Sequence, residues 1–293
     1  MFNDNKTAMG AVCIITSAFF FAMMGLFVQI AGDLPSIQKS FFRNAVAAIV
    51  AFIILIKDGG GFKWKKDCLG SLILRSVFGL VGILCNFYAI DHLILSDALM
   101  LNKLSPFFAV LLSFVILGER MKPFQISMVI LAFVGSLFII KPTSDFINPA
   151  SIMGLLGGLG AGAAYTMVRK LSQKGERKSY IVFFFSAFSS LAVLPFVLYY
   201  YVPMSPLQLI YLVLAGVSAA VGQFSITAAY SYAPARDISV YDYTQVIFST
   251  LMSFIVFGTL PDGWSFVGYG VICSATVIMF IKNKRDYKKA QIS

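Results

Sequence analysis

Charge is what this sequence has least of. Only 12% of its residues are Asp, Glu, Lys or Arg, against about a quarter in a soluble domain, so the chain lacks the polar surface that water requires. Histidine occurs once, at His92, and the four cysteines (Cys13, Cys68, Cys85, Cys273) are scattered without CxxC spacing. That excludes a disulfide framework and a zinc site, and no metal or cofactor is expected. No P-loop is present, so ATP cannot drive work within this chain, and no HExxH, GxSxG or carboxylate pair lies inside the apolar runs, which argues against a membrane-embedded enzyme. The net charge of +10 comes without the basic stripe or motif that nucleic acid would demand. A cleavable signal peptide is also missing: the first apolar run is about 22 residues, too long for a short h-region, and reads as a permanent first helix.

Apolar runs are what it has in quantity. Hydrophobic residues make up 59% of the chain, and they gather into segments long enough to cross a hydrocarbon core of about 30 Å. Ten spans are predicted, near 9–31, 36–57, 69–91, 96–117, 123–141, 152–173, 179–201, 206–228, 238–259 and 263–281. No separator could house a soluble domain, so the chemistry must lie in the helices and their ends. With the N-terminus inside, the cytoplasmic segments hold 18 Lys and Arg, and the opposite face holds only Lys39 and Lys141. The positive-inside bias therefore puts both termini in the cytoplasm, with the plasma (inner) membrane as the expected location.

A shift of 140 positions lays residues 82–118 over 222–258 without a gap. Gly82 falls on Gly222, Asp97 on Asp237 and Gly118 on Gly258. Two halves are expected, 1–145 and 150–293, each of five helices. Five is odd, so the second half enters the membrane from the opposite side. The fold class is then all-α integral membrane, with ten transmembrane helices in two inverted five-helix repeats. Such repeats recur in secondary transporters, with solute held near the midplane where the halves meet.

The stretch Ala98 to Lys122, ALMLNKLSPFFAVLLSFVILGERMK, carries a family resemblance. It resembles the drug/metabolite transporter superfamily, specifically its EamA-type branch, whose fourth helix ends in Gly-Glu-Arg/Lys. The resemblance covers essentially the whole chain, but the second copy departs from it at Gly258-Thr259-Leu260, which lacks the Glu and the base. It implies alternating-access export or uptake of a small metabolite. A broad-specificity drug exporter is the alternative, and a membrane enzyme, channel or lipid-handling protein the alternative from other classes. Small multidrug-resistance relatives rely on a glutamate in the first helix. Residues 9–31 contain no carboxylate, which disfavours proton-driven export of hydrophobic cations. The partners are a small-molecule substrate, the bilayer and an unspecified coupling ion, with a monomer or homodimer both open.

Ionisable residues inside a membrane are costly and need a reason. Arg43 and Lys103 each lie about seven residues from the outer ends of their spans, so both are expected about 10 Å deep, as cavity cations or as snorkelling side chains. For Arg43 the two readings stand even. Lys103 is drawn to the cavity by Asn102, Ser105 and the mid-helix Pro106, expected to serve the fourth helix as a packing kink or as a gating hinge. Arg75, six residues from an inner end, is read as snorkelling. Asp242 joins Ser239, Gln245, Ser249 and Ser253 on one helical face, lining a cavity or starting its helix against the macrodipole. Its depth and that of Asp97 leave Lys103 without a fixed carboxylate partner, hence a lean to an anionic or zwitterionic substrate such as an organic acid or amino acid. Asn86, Gln223 and Tyr230 complete the expected lining. Tyr88, Tyr165, Tyr241 and Tyr243 are read as aromatic walls or interface anchors, Asp97 and Asp237 as helix caps, and His92 as a surface residue. Gly154, Gly158 and Gly162, spaced by four, read as a packing stripe.

Overall fold

The structure, a computed structural model, describes residues 4–59, 62, 64–117, 123–140, 148–232 and 239–292. Among these every regular element is helical. Eleven α-helices follow one another: α1 (Asp4–Ile30), α2 (Ser36–Lys57), α3 (Leu69–His92), α4 (Leu95–Asn102), α5 (Ser105–Leu117), α6 (Pro123–Ile140), α7 (Pro149–Gln173), α8 (Lys178–Tyr199), α9 (Pro206–Tyr232), α10 (Thr244–Phe257) and α11 (Gly263–Ile292). A 3-10 turn over Ser239–Tyr243 leads into α10. Six segments, all within α1–α3 and α7–α9 with the turn before α3, are long and apolar enough to cross a membrane.

Local chemistry sets the boundaries. The Asn148 side chain accepts a hydrogen bond from the Ala150 amide at 2.9 Å and Pro149 takes the first turn of α7, a start that satisfies one orphan donor and needs no amide at the proline. Gly258 closes α10 with φ 65°, the left-handed conformation that spares glycine a Cβ clash.

Two of the expected spans are not continuous helices. The fourth, expected over 96–117, stops at Asn102 and restarts at Ser105. Pro106 therefore stands in the first turn of α5 rather than in mid-helix, where its missing amide costs nothing. The ninth, expected over 238–259, opens with the 3-10 turn, so Asp242 lies on that turn and only Gln245, Ser249 and Ser253 continue along α10, all buried.

The heaviest packing joins one half of the chain to the other. Helix α1 lies on α9, α3 on α7, α2 on α8, and α6 on α11, while α5 lies on α7, α1 on α10, and α4 on α10. Exchanging each span of the first half with its counterpart in the second turns the α1–α9 contact into α7–α3, and α5–α7 into α10–α1. The pairs α2–α8, α6–α11 and α4–α10 map onto themselves, and α2–α9 maps onto α8–α3. That is the contact pattern of two repeats related by a twofold axis.

Glycine makes the closest approach. A Cβ on Gly160 would sit 2.7 Å from the Gly82 Cα, so α3 and α7 touch backbone to backbone. The stripe of Gly154, Gly158 and Gly162 faces the fourth span: Cβ atoms there would meet Leu101 Cδ1 at 2.9 Å, the Leu101 carbonyl at 2.8 Å, and the Ser105 carbonyl at 2.7 Å. Small residues at four-residue spacing let helices meet at this distance, so the stripe is a packing device that seats the α4–α5 break against α7.

Candidate functional site

The break between α4 and α5 carries Lys103. Its ammonium donates to Asp242 Oδ2 at 2.6 Å, with side-chain exposures of 6% and 5%. The Tyr243 hydroxyl donates to the Lys103 carbonyl at 2.9 Å. Tyr243 is the counterpart of Lys103 under the shift of 140, so the interrupted stretches of the two halves meet near the twofold. The carbonyls that a broken helix frees need partners where water is scarce, and here the opposite half supplies one.

This corrects the expectation that Lys103 lacks a carboxylate. The depth comparison assumed a uniform 1.5 Å rise from estimated helix ends, and that ruler fails where the chain is a 3-10 turn or a break. Asp97, expected as a cap, lies in the first turn of α4 and not at the cap position. Ile94 holds that position without a side-chain hydrogen bond, and Asp97 Oδ1 instead accepts from the Tyr269 hydroxyl on α11 at 2.6 Å. Asp237 and the Gly118-Glu119-Arg120 signature lie outside the described residues.

A second buried group holds two arginines. Arg43 on α2 is 1% exposed and Arg75 on α3 is 3% exposed, so neither snorkels. The Arg75 guanidinium carbon stands 3.6 Å from the Phe185 ring centroid on α8 and that of Arg43 stands 5.9 Å from it, a cation–π arrangement. Gly79 makes this room: a Cβ there would lie 2.5 Å from Arg75 Nη1 and 2.7 Å from the Phe185 ring. Arg43 Nη1 donates to Asn44 Oδ1, and Asn44 donates to the Ser40 hydroxyl at 3.2 Å. Among the described residues no carboxylate lies within ion-pair distance of either guanidinium. Arg43 Nε, Arg75 Nε and Arg75 Nη1 have no hydrogen-bond partner there. Tyr165 on α7 is within electrostatic reach of Arg43, Arg75 and Asp242.

The expected site residues thus separate. Lys103 and Asp242 come together directly, whereas Arg43 joins Arg75. Asn86 is buried on α3 against Gly157, with its Oδ1 unpartnered among the described residues. Asn102 is half-buried beside Gly158. Gln223 and Gln245 are buried on α9 and α10. The side chains of Tyr230 and Ser239 lie outside the described residues. Arg75, Tyr165 and Phe185 were not assembled from sequence, although Gly79, one turn after Arg75, was a signal that something must fit there.

A cavity of about 470 Å³ opens elsewhere, at the end of the bundle where α1 meets α2 and α3 ends, lined by Gln29, Asp33, Ser36, Tyr88, Asp91 and His92 among others. Lys39, counted from sequence with the external segments, is 1% exposed there and is ion-paired with Asp91, which also accepts from Ser36 at 3.1 Å. His92 is exposed, as expected, with Nδ1 at 2.8 Å from the Tyr88 carbonyl and its ring stacked on Tyr88 at 4.2 Å.

Comparison with known proteins bears on the family and the fold. Residues 8–141 and again 148–281 match the EamA-like transporter family. The chain is 29% identical to the pseudopaline exporter CntI of Pseudomonas aeruginosa, over 94% of this chain and 97% of that protein. It is 27% identical to a riboflavin transporter of Vibrio cholerae, over 97% of each. Identity to the human solute carrier family 35 member G1 is 26%, over 90% of this chain and 76% of that one. A chain from a solved crystal structure superposes with a TM-score of 0.67, at 14% identity, over 92% of this chain and 96% of that one, which speaks for the fold.

Proposed function

The chain belongs to the EamA-like transporter family, and from that premise we propose that it is an alternating-access carrier of a small anionic or zwitterionic metabolite. It is an integral membrane transporter and not an enzyme. In the proposal, the halves 1–145 and 150–293 rock about the site where the fourth and ninth spans cross, with both termini cytoplasmic. The observation that carries the reading is the buried Lys103–Asp242 pair at 2.6 Å, which ties an interrupted helix of one half to an interrupted turn of the other. Irregular backbone at such a place is how carriers of inverted-repeat design form a midplane site. The lining we propose is Asn86, Asn102, Gln223, Tyr230 and Gln245 with Arg43, while Lys103 and Asp242 act as the joint between halves. The differing solutes named for the relatives leave the substrate to this chain's own residues. Support for negative charge comes from the arginines, which have no acidic partner among the described residues.

Labelling single cysteines placed at Asn86 and Gln245, in a cysteine-free background in oriented proteoliposomes, tests the carrier reading. Each position should become reactive from one side at a time, in populations that exchange. Simultaneous access from both sides means a channel and sinks the proposal. Cysteines at 63 and 284 should react from the cytoplasmic side alone, and an external label at 284 would overturn the orientation.

A further inference from the structure

The Arg43–Arg75 group has a feature that a general lean to anions does not use. Two guanidiniums share one aromatic ring and lie close enough to repel each other. No carboxylate among the described residues lies within ion-pair distance of either guanidinium, and Asp242 is already paired with Lys103. The local charge is therefore two positive units, enclosed by α2, α3, α7 and α8. Burying one unpaired charge is expensive, and burying two together is more so. A chain keeps such a pair where a ligand completes it. Arg43 Nε, Arg75 Nε and Arg75 Nη1 are donors with no partner among the described residues. On α8, Ser186 and Ser189, one and four residues after Phe185, are fully buried with hydroxyls likewise unpartnered. Guanidinium forks match the paired oxygens of carboxylate and phosphate, and the ring of Phe185 positions the forks without neutralising them.

We infer that Arg43 and Arg75 form an anion site that takes a substrate bearing two negative charges on oxygen, as in a dicarboxylate or a phosphate monoester. The inference rests on the carrier reading above and narrows it. A single carboxylate would leave one guanidinium unpaired, and a zwitterion would bring its own cation into a site already doubly positive. A dianion cancels the local charge and supplies acceptors for donors on both arginines. Cargo would then bind at these two residues and not at Lys103, whose charge Asp242 has already met.

The test uses the full chain purified in detergent, with unfolding temperature followed at constant ionic strength. The probes are succinate, sulfate and ethyl phosphate, against formate and chloride. Dianions should raise the unfolding temperature saturably, and monovalent anions should do so far less. A hydrogen bond to a charged group is worth about one to two orders of magnitude in affinity. Arg43→Gln and Arg75→Gln should therefore each weaken the dianion response at least tenfold. Arg75→Lys keeps the charge without the fork and should fall between, which guards against a glutamine variant that does not fold. No saturable response to any dianion, an equal response to monovalent anions, or a response unchanged in the variants would each overturn the inference. Alternating labelling of Asn86 and Gln245 without a dianion response would leave the carrier reading in place while removing this one. A dianion response without alternation would do the reverse.

Discussion

Two sets of buried cations in this molecule have met opposite fates. Lys103 at the α4–α5 break has its carboxylate, Asp242, at 2.6 Å, and the two together are a structural joint across the halves. Arg43 and Arg75, equally buried, have an aromatic ring and an asparagine but no acid among the described residues. Burial of a charge is therefore not by itself a mark of a substrate site. Among the described residues, the distinguishing property is whether the protein supplies the opposite charge. In the reading proposed here the ion pair belongs to the fold and the two arginines to the cargo, and substitutions should separate the two by what they do to stability.

The largest effect should come from breaking the satisfied pair. Asp242→Asn leaves the Lys103 ammonium buried without its counter-charge, at a cost of about 3–5 kcal/mol. The same holds for Lys103→Met, which strands Asp242. The double variant Lys103→Met with Asp242→Asn removes both charges and should recover most of the loss. Thermal unfolding of the three purified proteins checks this. Additive losses in the double variant would mean that the two charges do not depend on each other.

Next in size is the backbone-to-backbone contact between α3 and α7. Gly160→Ala places a Cβ 2.7 Å from the Gly82 Cα and 2.9 Å from the Phe78 carbonyl. Backbone cannot step aside as a flexible side chain can, so the α3–α7 pair must separate, and overpacking of this kind costs about 1–3 kcal/mol. Gly70→Ala is the control, since nothing lies within 4 Å of its Cβ position and alanine improves helix propensity. Equal stability of the two variants would show that the close approach carries no energy.

Sequence made the scaffold legible and the site only in part, for reasons specific to each residue. Helix packing by small residues is a local, periodic property, so Gly154, Gly158 and Gly162 could be read from their spacing, and the structure puts them in close contacts. The repeat was visible because Asp97 and Asp237, and the glycines at 82 and 222, share a register. Partners across 139 residues are another matter. The shift of 140 sets Asn102 against Asp242 and Lys103 against Tyr243, whereas the ion pair runs diagonally from Lys103 to Asp242. Hydropathy could not see the break at residues 103–104, because an interrupted helix keeps the composition of a whole one. Arg75 was misread because counting residues to the nearest helix end ignores what other helices bring. The room beside Gly79 and the ring of Phe185 hold its guanidinium inside.

The smallest effect on stability should come from the unsatisfied cations, and it sharpens the comparison most. Arg75→Met keeps an unbranched side chain on the Phe185 ring, where a thioether makes its own favourable contact with an aromatic, and it removes a charge that has no acidic partner among the described residues. The lost cation–π contact, about 2 kcal/mol when desolvated, is offset by relief of the charge's desolvation and of repulsion from Arg43. The net change in unfolding free energy should stay within about 1 kcal/mol of zero. Lys103→Met makes the same chemical change at a comparably buried site and should cost several times more. Chemical denaturation of Arg75→Met without added anion measures the difference directly. A loss as large as that of Lys103→Met would mean that Arg75 has a structural partner after all. The distinction between cations that hold the fold and cations that wait for cargo would then fail.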